Sequence, residues 1–207
     1  MSIEEIKWDA IVVGSGIGGL AVASILSQMK KKRVLVLERH WVAGGQTHEF
    51  TRKGKYSWDV GLHYVGGMAP GSDGRKIMDY VTGGGVDWNP LPDRFEHFSF
   101  PGTTFEMPRT EGAIRVALCE RFPAESAGIH AFFKDMKRAT DWVTLDFSRQ
   151  LMPAPIAALM GLVLRRRRKM ATAPTARALE RHLVDPLLKA ILCGTWGDYG
   201  LPPGRSA

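Results

Sequence analysis

The sequence predicts an α/β fold that opens with a strand, a helix and a second strand. An apolar run at residues 10–13 (AIVV) ends in a glycine cluster, and a helix-compatible run follows from residue 20 to about residue 29. A second apolar run at residues 34–37 (VLVL) ends at the acidic residue Glu38. A glycine turn between strand and helix, with an acid at the tip of the second strand, is typical of a dinucleotide-binding βαβ unit.

The glycines of this unit have distinct physical roles. Gly14 lets the chain turn sharply out of the first strand, and Gly16 has no Cβ, so the backbone can approach a pyrophosphate. Gly19 allows close packing of helix and strand. The helix N-terminus then offers free N–H groups and a positive dipole end to phosphates. The alternative is an ordinary glycine-rich turn, and the flanking strands and the acid favour nucleotide binding.

Glu38 indicates which nucleotide the unit prefers. A carboxylate at the tip of the second strand accepts both ribose hydroxyls of an adenosine, and it repels a 2′-phosphate. The sequence therefore predicts FAD or NAD in preference to NADP at this position.

Charge and composition narrow the functional classes. The 207 residues carry a net charge of +7, with 44% hydrophobic and 24% charged residues, as in ordinary globular proteins. Residues 30–33 and 165–169 hold 9 of the 28 basic residues, so 19 basic residues stand against 21 acidic ones elsewhere, a balance of −2. The basic excess is thus local, and we expect no nucleic-acid partner.

The cysteines and the apolar runs bear on metal sites and location. Cys119 and Cys193 are the only cysteines and have no metal-ligand partner at short spacing. We expect no metal site and a reducing, cytoplasmic setting. Residues 1–9 are acidic and lack the apolar core of a signal peptide. No stretch reaches the roughly 18 to 20 uninterrupted apolar residues of a membrane span.

Two further motifs extend the pattern beyond the glycine unit. Residues 59–66 read DVGLHYVG, and residues 193–203 read CGTWGDYGLPP. Together with the glycine unit and the segment VLVLERHWVAGGQTHEF, they resemble the N-terminal part of the retinol saturase and carotenoid isomerase group. That group lies within the phytoene-desaturase-like FAD-dependent oxidoreductases. The resemblance spans nearly the whole chain.

The resemblance implies an FAD cofactor and leaves NAD(P)H open as an electron donor. No catalytic residue is assigned, because a structural, hydrogen-bonded role for His63 is as consistent with the sequence as a catalytic one. The implied cofactor-binding residues fall into four groups. They are Gly14, Ser15, Gly16, Gly18 and Gly19 at the pyrophosphate, Glu38 at the ribose, Arg39, Gly44 and Gly45 farther along the cofactor, and Gly61 and His63 near the flavin ring.

The resemblance also implies a domain organisation. A Rossmann-like FAD/NAD(P)-binding βαβ domain would occupy residues 1–90. An inserted, β-rich and helical α+β substrate domain would occupy residues 91–207 and be incomplete. Family members continue well beyond the final motif, so we expect a chain truncated at its C-terminus, with uncovered apolar faces on its parallel sheet and low stability.

Within the second segment, local patterns predict a hairpin and a helix. Within residues 94–107, two β-prone runs rich in phenylalanine flank Pro101-Gly102, which predicts a β-hairpin. Its phenylalanines would either line an apolar tunnel or, more commonly, pack in a core. Residues 129–147 have helical periodicity, with one apolar face formed by Phe132, Met136, Ala139, Val143 and Phe147.

Residues 151–169 leave two interpretations open. The apolar run LMPAPIAALMGLVL is followed directly by RRRRK. Such a segment dips into an anionic membrane surface as a peripheral contact, or it forms a buried helix followed by an exposed basic loop.

The functional hypothesis is an FAD-dependent oxidoreductase acting on carbon–carbon double bonds of a lipophilic polyene or isoprenoid. Saturation, desaturation and isomerisation all stay open. The alternative is an inactive N-terminal fragment that retains only nucleotide or membrane-surface binding. A weaker third hypothesis is an NAD-linked dehydrogenase.

Overall fold

The computed structural model describes residues 7–206, except for the side chain of Tyr199. The sequence also predicts a short lead-in at residues 1–8, most of which lies outside the described residues. The chain divides into two compact units, Met1–Pro90 and Leu91–Ala207. The functions assigned to the two segments stay predictions.

The first unit begins with the predicted strand, helix and strand. Strands β1 (Ala10–Val13) and β2 (Val34–Leu37) pair in parallel, joined by helix α1 (Ile17–Lys30). The prediction is confirmed, although α1 starts three residues before residue 20 and includes Gly18 and Gly19. The first turn of a helix has no intrahelical partner for its N–H groups, so residues of low helix propensity are tolerated there.

A hairpin and a second helix complete this unit. Strands β3 (Glu49–Arg52) and β4 (Tyr56–Asp59) are antiparallel, and helix α2 (Asp73–Thr82) is capped by the Ser72 hydroxyl. Residues 56–64 alternate loosely between apolar and polar types, which predicts a strand, but the observed strand ends at residue 59. It ends there because the next N–H groups bond elsewhere, that of Gly61 donating to the Gln46 carbonyl.

The second unit holds one hairpin followed by helices. Strands β5 (Arg94–Phe100) and β6 (Thr103–Pro108) form the predicted hairpin, which is confirmed. The other described elements are all helical, so the expectation of a β-rich segment is wrong. Apolar residues after residue 108 recur at helical rather than alternating spacing. The helices are α3 (Glu111–Arg121), α4 (Ser126–Arg149), α5 (Ala154–Ala171), α6 (Thr175–His182), α7 (Pro186–Leu192) and α8 (Trp196–Tyr199).

The hydrophobic core of the second unit joins the hairpin to helices α3, α4, α6 and α7. Phe105 is buried in it, and Phe98 and Phe100 pack against it, so these hairpin phenylalanines pack in a core as the commoner alternative predicts. The buried members are Phe105, Leu118, Ile129, Phe132, Phe133, Leu179, Leu183, Leu188 and Ile191.

The predicted apolar face of α4 is wrong over most of its length. Phe132 is buried, but Met136, Val143 and Phe147 are exposed. The reason is a change of partner along the helix: its C-terminal half packs against α5, and the Trp142 indole N–H donates to the Leu164 carbonyl at 2.9 Å. The face toward α5 therefore differs from the face that Phe132 turns to the core.

The basic run at residues 165–169 is not a loop. It lies within α5, and most apolar residues that precede it in the helix are exposed, with Leu164 as the buried exception. A buried helix followed by a basic loop is therefore not what residues 151–169 form. None of the helices within residues 7–206 has the length and apolar character needed to cross a bilayer.

Replacing a buried leucine tests the hydrophobic core assigned to the second unit. We expect Leu188→Ala to lower the free energy of unfolding by about 2–5 kcal/mol, because Leu188 is fully buried and its truncation leaves a cavity. Leu159→Ala makes the same chemical change at an exposed position of α5, and we expect an effect within about 0.5 kcal/mol. Urea unfolding followed by circular dichroism measures both, and equal effects would contradict the assigned core.

Candidate nucleotide-binding site

The candidate site lies where three segments meet at the carboxyl ends of β1 and β2. The Gly14 N–H donates to the Leu37 carbonyl at 2.7 Å, which holds the glycine loop against the end of β2. Gly16 forms an isolated parallel bridge with Gly44, which brings in the third segment. The carboxyl end of a parallel sheet, beside a helix N-terminus, is where nucleotides bind in folds of this type.

Two glycines of the loop are required by the protein's own packing. Gly14 has a φ of +96°, in the region that favours glycine. A Cβ on Gly19 would lie 2.2 Å from the Gly14 carbonyl oxygen, so only glycine lets α1 approach β1 this closely. The close packing predicted at Gly19 is confirmed.

Gly16 and Gly18 differ from these two. A Cβ on either would meet no atom within 4 Å, and Gly16 has an ordinary φ of −63°. Gly16 is also the N-cap of α1 and offers no side chain to the first N–H groups of the helix. The loop therefore borders open space beside unsatisfied donors, the arrangement that receives a phosphate.

The buried hydroxyl of Ser15 links the three segments. Its Oγ donates to Glu38 Oε2 at 2.6 Å and accepts from the Gly44 N–H at 3.0 Å. The Ser15 N–H donates to the same carboxylate oxygen at 2.8 Å. The sequence analysis assigned Ser15 only as a member of the loop. The available signal was that it is the one hydroxyl residue in GSGIGG.

The carboxylate of Glu38 is held in its ionised form. Its second oxygen, Oε1, accepts from the His40 N–H at 2.8 Å. The Ser15 hydroxyl, the His40 N–H and the Ser15 N–H, in that order, lower the pKa of Glu38 to about 2. Glu38 is exposed, so the tip of β2 presents a fixed negative charge to solvent.

Gly45 and Gly61 pack closely against neighbouring residues of the candidate site. A Cβ on Gly45 would lie 2.9 Å from Gly16 Cα, and a Cβ on Gly61 would lie 2.6 Å from Gln46 Oε1. The 3₁₀ turn Gly45–Thr47 thus connects the turn at residue 61 to the glycine loop. These two positions have a packing reason to be glycine, whatever they bind.

The side chains of Arg39 and His63 do not join these segments, although the Arg39 main chain hydrogen-bonds to the Glu38 carboxylate and helps to lower its pKa. Both side chains are exposed, and neither makes a hydrogen bond or ion pair with another residue in the described range 7–206. The alternative of a His63 held by structural hydrogen bonds is therefore not seen.

Known proteins are similar to this chain in sequence. A model of the NAD(P)-binding Rossmann-like domain matches residues 12–81. The human all-trans-retinol 13,14-reductase is 36% identical over 210 residues, covering 97% of this chain and 34% of that protein. The chain is homologous to the retinol reductases. The chloroplastic prolycopene isomerase of Arabidopsis thaliana is 35% identical over 133 residues, covering 63% of this chain and 22% of the isomerase.

These matches confirm the resemblance and the Rossmann-like nature of the first segment. The chain spans about a third of the length of the retinol reductases that it matches. The matches also include an inactive all-trans-retinol 13,14-reductase of Danio rerio, 32% identical over 96% of this chain and 34% of that protein.

Titration of Glu38 tests the role of Ser15. Because the Ser15 hydroxyl is the largest cause of the lowered pKa, we expect Ser15→Ala to raise the pKa of Glu38 from about 2 toward its ordinary 4.5. The pKa of the folded state lies below that of the unfolded chain. The hydrogen-bonded carboxylate therefore stabilises the fold above about pH 4.5 and loses this effect as the pH falls toward 2. NMR of the side-chain carboxyl carbon, assigned with Glu38→Gln, measures the pKa.

Ser24→Ala is the matched control. The Ser24 hydroxyl donates to the Val81 carbonyl in the same unit. We expect no change in the pKa of Glu38 in this variant. An unchanged pKa in Ser15→Ala as well would show that the hydroxyl does not hold the carboxylate.

Proposed function

We propose that the chain is an FAD-dependent oxidoreductase that acts on carbon–carbon double bonds of a lipophilic polyene or isoprenoid, and that the cofactor binds in its first unit. The observation that carries the proposal is the ionised Glu38 beside a glycine loop with open space at Gly16. The homology to retinol reductases and a prolycopene isomerase supports the substrate class.

The residues present fit the adenosine diphosphate half of FAD. The N–H groups at the start of α1 would bind the pyrophosphate, and Gly16 and Gly18 leave room for it. Glu38 would accept the ribose hydroxyls and, through its charge, disfavour a 2′-phosphate. Arg39, Gly44 and Gly45 would continue along the cofactor, with Gly61 and His63 toward the flavin.

The flavin, when bound, would supply hydride or electron exchange with a double bond. The first unit of the chain would bind the flavin cofactor and orient it. The proposal leaves the direction of the reaction open and admits NAD(P)H as an electron donor. It includes a lipophilic substrate and a peripheral membrane contact through residues 151–169.

A second candidate function is nucleotide or membrane-surface binding without catalysis. The inactive retinol reductase of Danio rerio matches this chain over nearly the same length as the human protein. Homology over this segment is therefore equally compatible with a protein that does not turn over retinol.

Retention of FAD by a Gly16 variant tests the cofactor proposal. A side chain at residue 16 meets open space and an ordinary φ, so we expect Gly16→Val to fold normally. We expect it to weaken FAD binding at least about tenfold, about 1.4 kcal/mol, because the side chain fills the space of the pyrophosphate. Flavin fluorescence titration of the purified chain measures the affinity.

Gly112→Val is the control for this experiment. Gly112 also lies in the first turn of a helix, and a Cβ there meets nothing within 4 Å. We expect unchanged FAD affinity. Equal affinity of both variants would contradict the proposed pyrophosphate position.

An assay of turnover separates the two candidate functions. We expect the FAD-loaded chain, supplied with a reductant, to convert all-trans-retinol or prolycopene, with products identified by chromatography and mass spectrometry. The Gly16→Val variant should lose this conversion. Tight FAD binding without conversion of either compound would favour binding without catalysis.

A further inference from the structure

The hairpin formed by α4 and α5 carries an exposed apolar tip. The loop residue Leu151 is 90% exposed, and Phe147, at the end of α4, is 68% exposed. On α5, Ile156, Leu159 and Leu162 are also exposed. We call Phe147, Leu151, Ile156, Leu159 and Leu162 the hairpin tip. Exposed apolar side chains concentrated on one helical hairpin indicate a contact with a protein or a membrane.

Apolar and basic residues of α5 are separated along the helix axis. Residues 154–164 hold no charge, and residues 165–169 are all cationic. The uncharged segment is about 16 Å long at 1.5 Å per residue. This length is close to half of the roughly 30 Å hydrocarbon core of a bilayer, that is, one leaflet. A helix that lies flat on a membrane separates the two classes around its axis, so separation along the axis favours entry by the tip.

From Phe147 onward, the charged side chains of the hairpin are all basic. No aspartate or glutamate occurs between residues 147 and 179, a stretch that includes the five consecutive cations. Asp141 and Asp146, on α4, are paired with Lys137 and Arg149. The uncharged segment of α5 is thus followed by a belt of cations that suits an anionic leaflet, and the charges of Asp146 and Arg149 beside that segment on α4 neutralise each other in an ion pair.

A groove between the two helices runs from the uncharged segment of α5 to these cations. It has a volume of about 550 Å³, and its lining includes Trp142, Arg165, Arg168 and the ion pair of Asp146 with Arg149. The bond from the Trp142 indole to the Leu164 carbonyl fixes the helices next to it. Arg165 and Arg168 make no ion pair with any residue between 7 and 206. Free guanidinium groups beside an indole are suited to the phosphate of a lipid headgroup.

We propose that the hairpin enters one leaflet of an anionic membrane tip first, with Arg165 and Arg168 at the level of the lipid phosphates. The inference rests on the membrane contact in the proposed function and does not depend on FAD. It adds the orientation, the depth and the headgroup groove. A second copy of the chain, or another protein, would cover the tip without requiring an anionic lipid.

Vesicle flotation tests the proposal. We expect the chain to float with vesicles of phosphatidylcholine and phosphatidylserine, and much less with phosphatidylcholine alone. Leu151→Asp should abolish flotation because it carries a charge into the hydrocarbon. The control, Val184→Asp, adds the same charge at a residue that is 82% exposed outside the hairpin, and it should float normally. Circular dichroism establishes that both variants fold.

The groove and the depth are tested separately. The double variant Arg165→Gln with Arg168→Gln should lose the preference for phosphatidylserine. The control double variant Lys30→Gln with Lys31→Gln, in the other basic run, should keep it.

The depth is measured with a polarity-sensitive dye in a chain whose Cys119 and Cys193 are alanine. When vesicles are added, the fluorescence emission of the dye on Leu151→Cys should shift to the blue more than that of the dye on Arg167→Cys. Equal shifts would overturn tip-first entry.

Other outcomes would overturn the membrane proposal itself. No flotation of the unmodified chain, or equal flotation of Leu151→Asp, would do so. A dimer in solution that Leu151→Asp makes monomeric would assign the tip to a second copy. Gly16→Val should float like the unmodified chain, so a failure of FAD binding and a failure of membrane binding are distinguishable.

Discussion

The first unit depends on the hydrogen bonds of one buried hydroxyl group. Ser15 connects residues 23 and 29 positions away along the chain, at Glu38 and Gly44. Among residues 7–90, only Ser15, Ala23 and Gly44 are buried, so this unit has almost no apolar core to fix its loops. Polar contacts therefore hold the glycine loop, the tip of β2 and the Gly44 segment in register. The same contacts keep Glu38 ionised, so the geometry of the loop and the charge of the site have one cause.

The two units differ in what holds them together. The second unit has a core of nine buried apolar residues from the β-hairpin of β5 and β6 and from four helices. The first unit has a two-stranded parallel sheet on which Ile11 and Val13 are 59% and 84% exposed. Parallel sheets are normally covered on both faces, so the stability of this unit depends on whatever covers these residues. The uncovered apolar faces expected from the sequence are present.

Local patterns in the sequence predicted the opening strand–helix–strand unit, the β-hairpin and helix α4, whereas tertiary packing decided which faces are buried. The strand–helix–strand unit and the hairpin around Pro101 follow from short-range periodicity and turn residues, so the sequence was sufficient for them. The exposed face of α4 was not predictable from its own period, because α5 covers a different side than the core does. The Ser15 contacts join three distant segments, and no short-range pattern reports them. A basic run resembles a solvated loop in sequence, yet α5 continues through it because arginine and lysine are good helix formers.

The glycines of the site fall into two groups: those that the packing or backbone of the chain requires, and those that only a bound ligand would explain. Gly14, Gly19, Gly45 and Gly61 are explained within the chain, by a positive φ or by a Cβ that would clash with a neighbouring atom. Gly16 and Gly18 are not, since neither has a positive φ and a Cβ on either would meet nothing within 4 Å. The absence of a packing reason at these two positions supports a requirement from outside the chain. A phosphate at the start of α1 would supply it, because it needs close approach to the main chain.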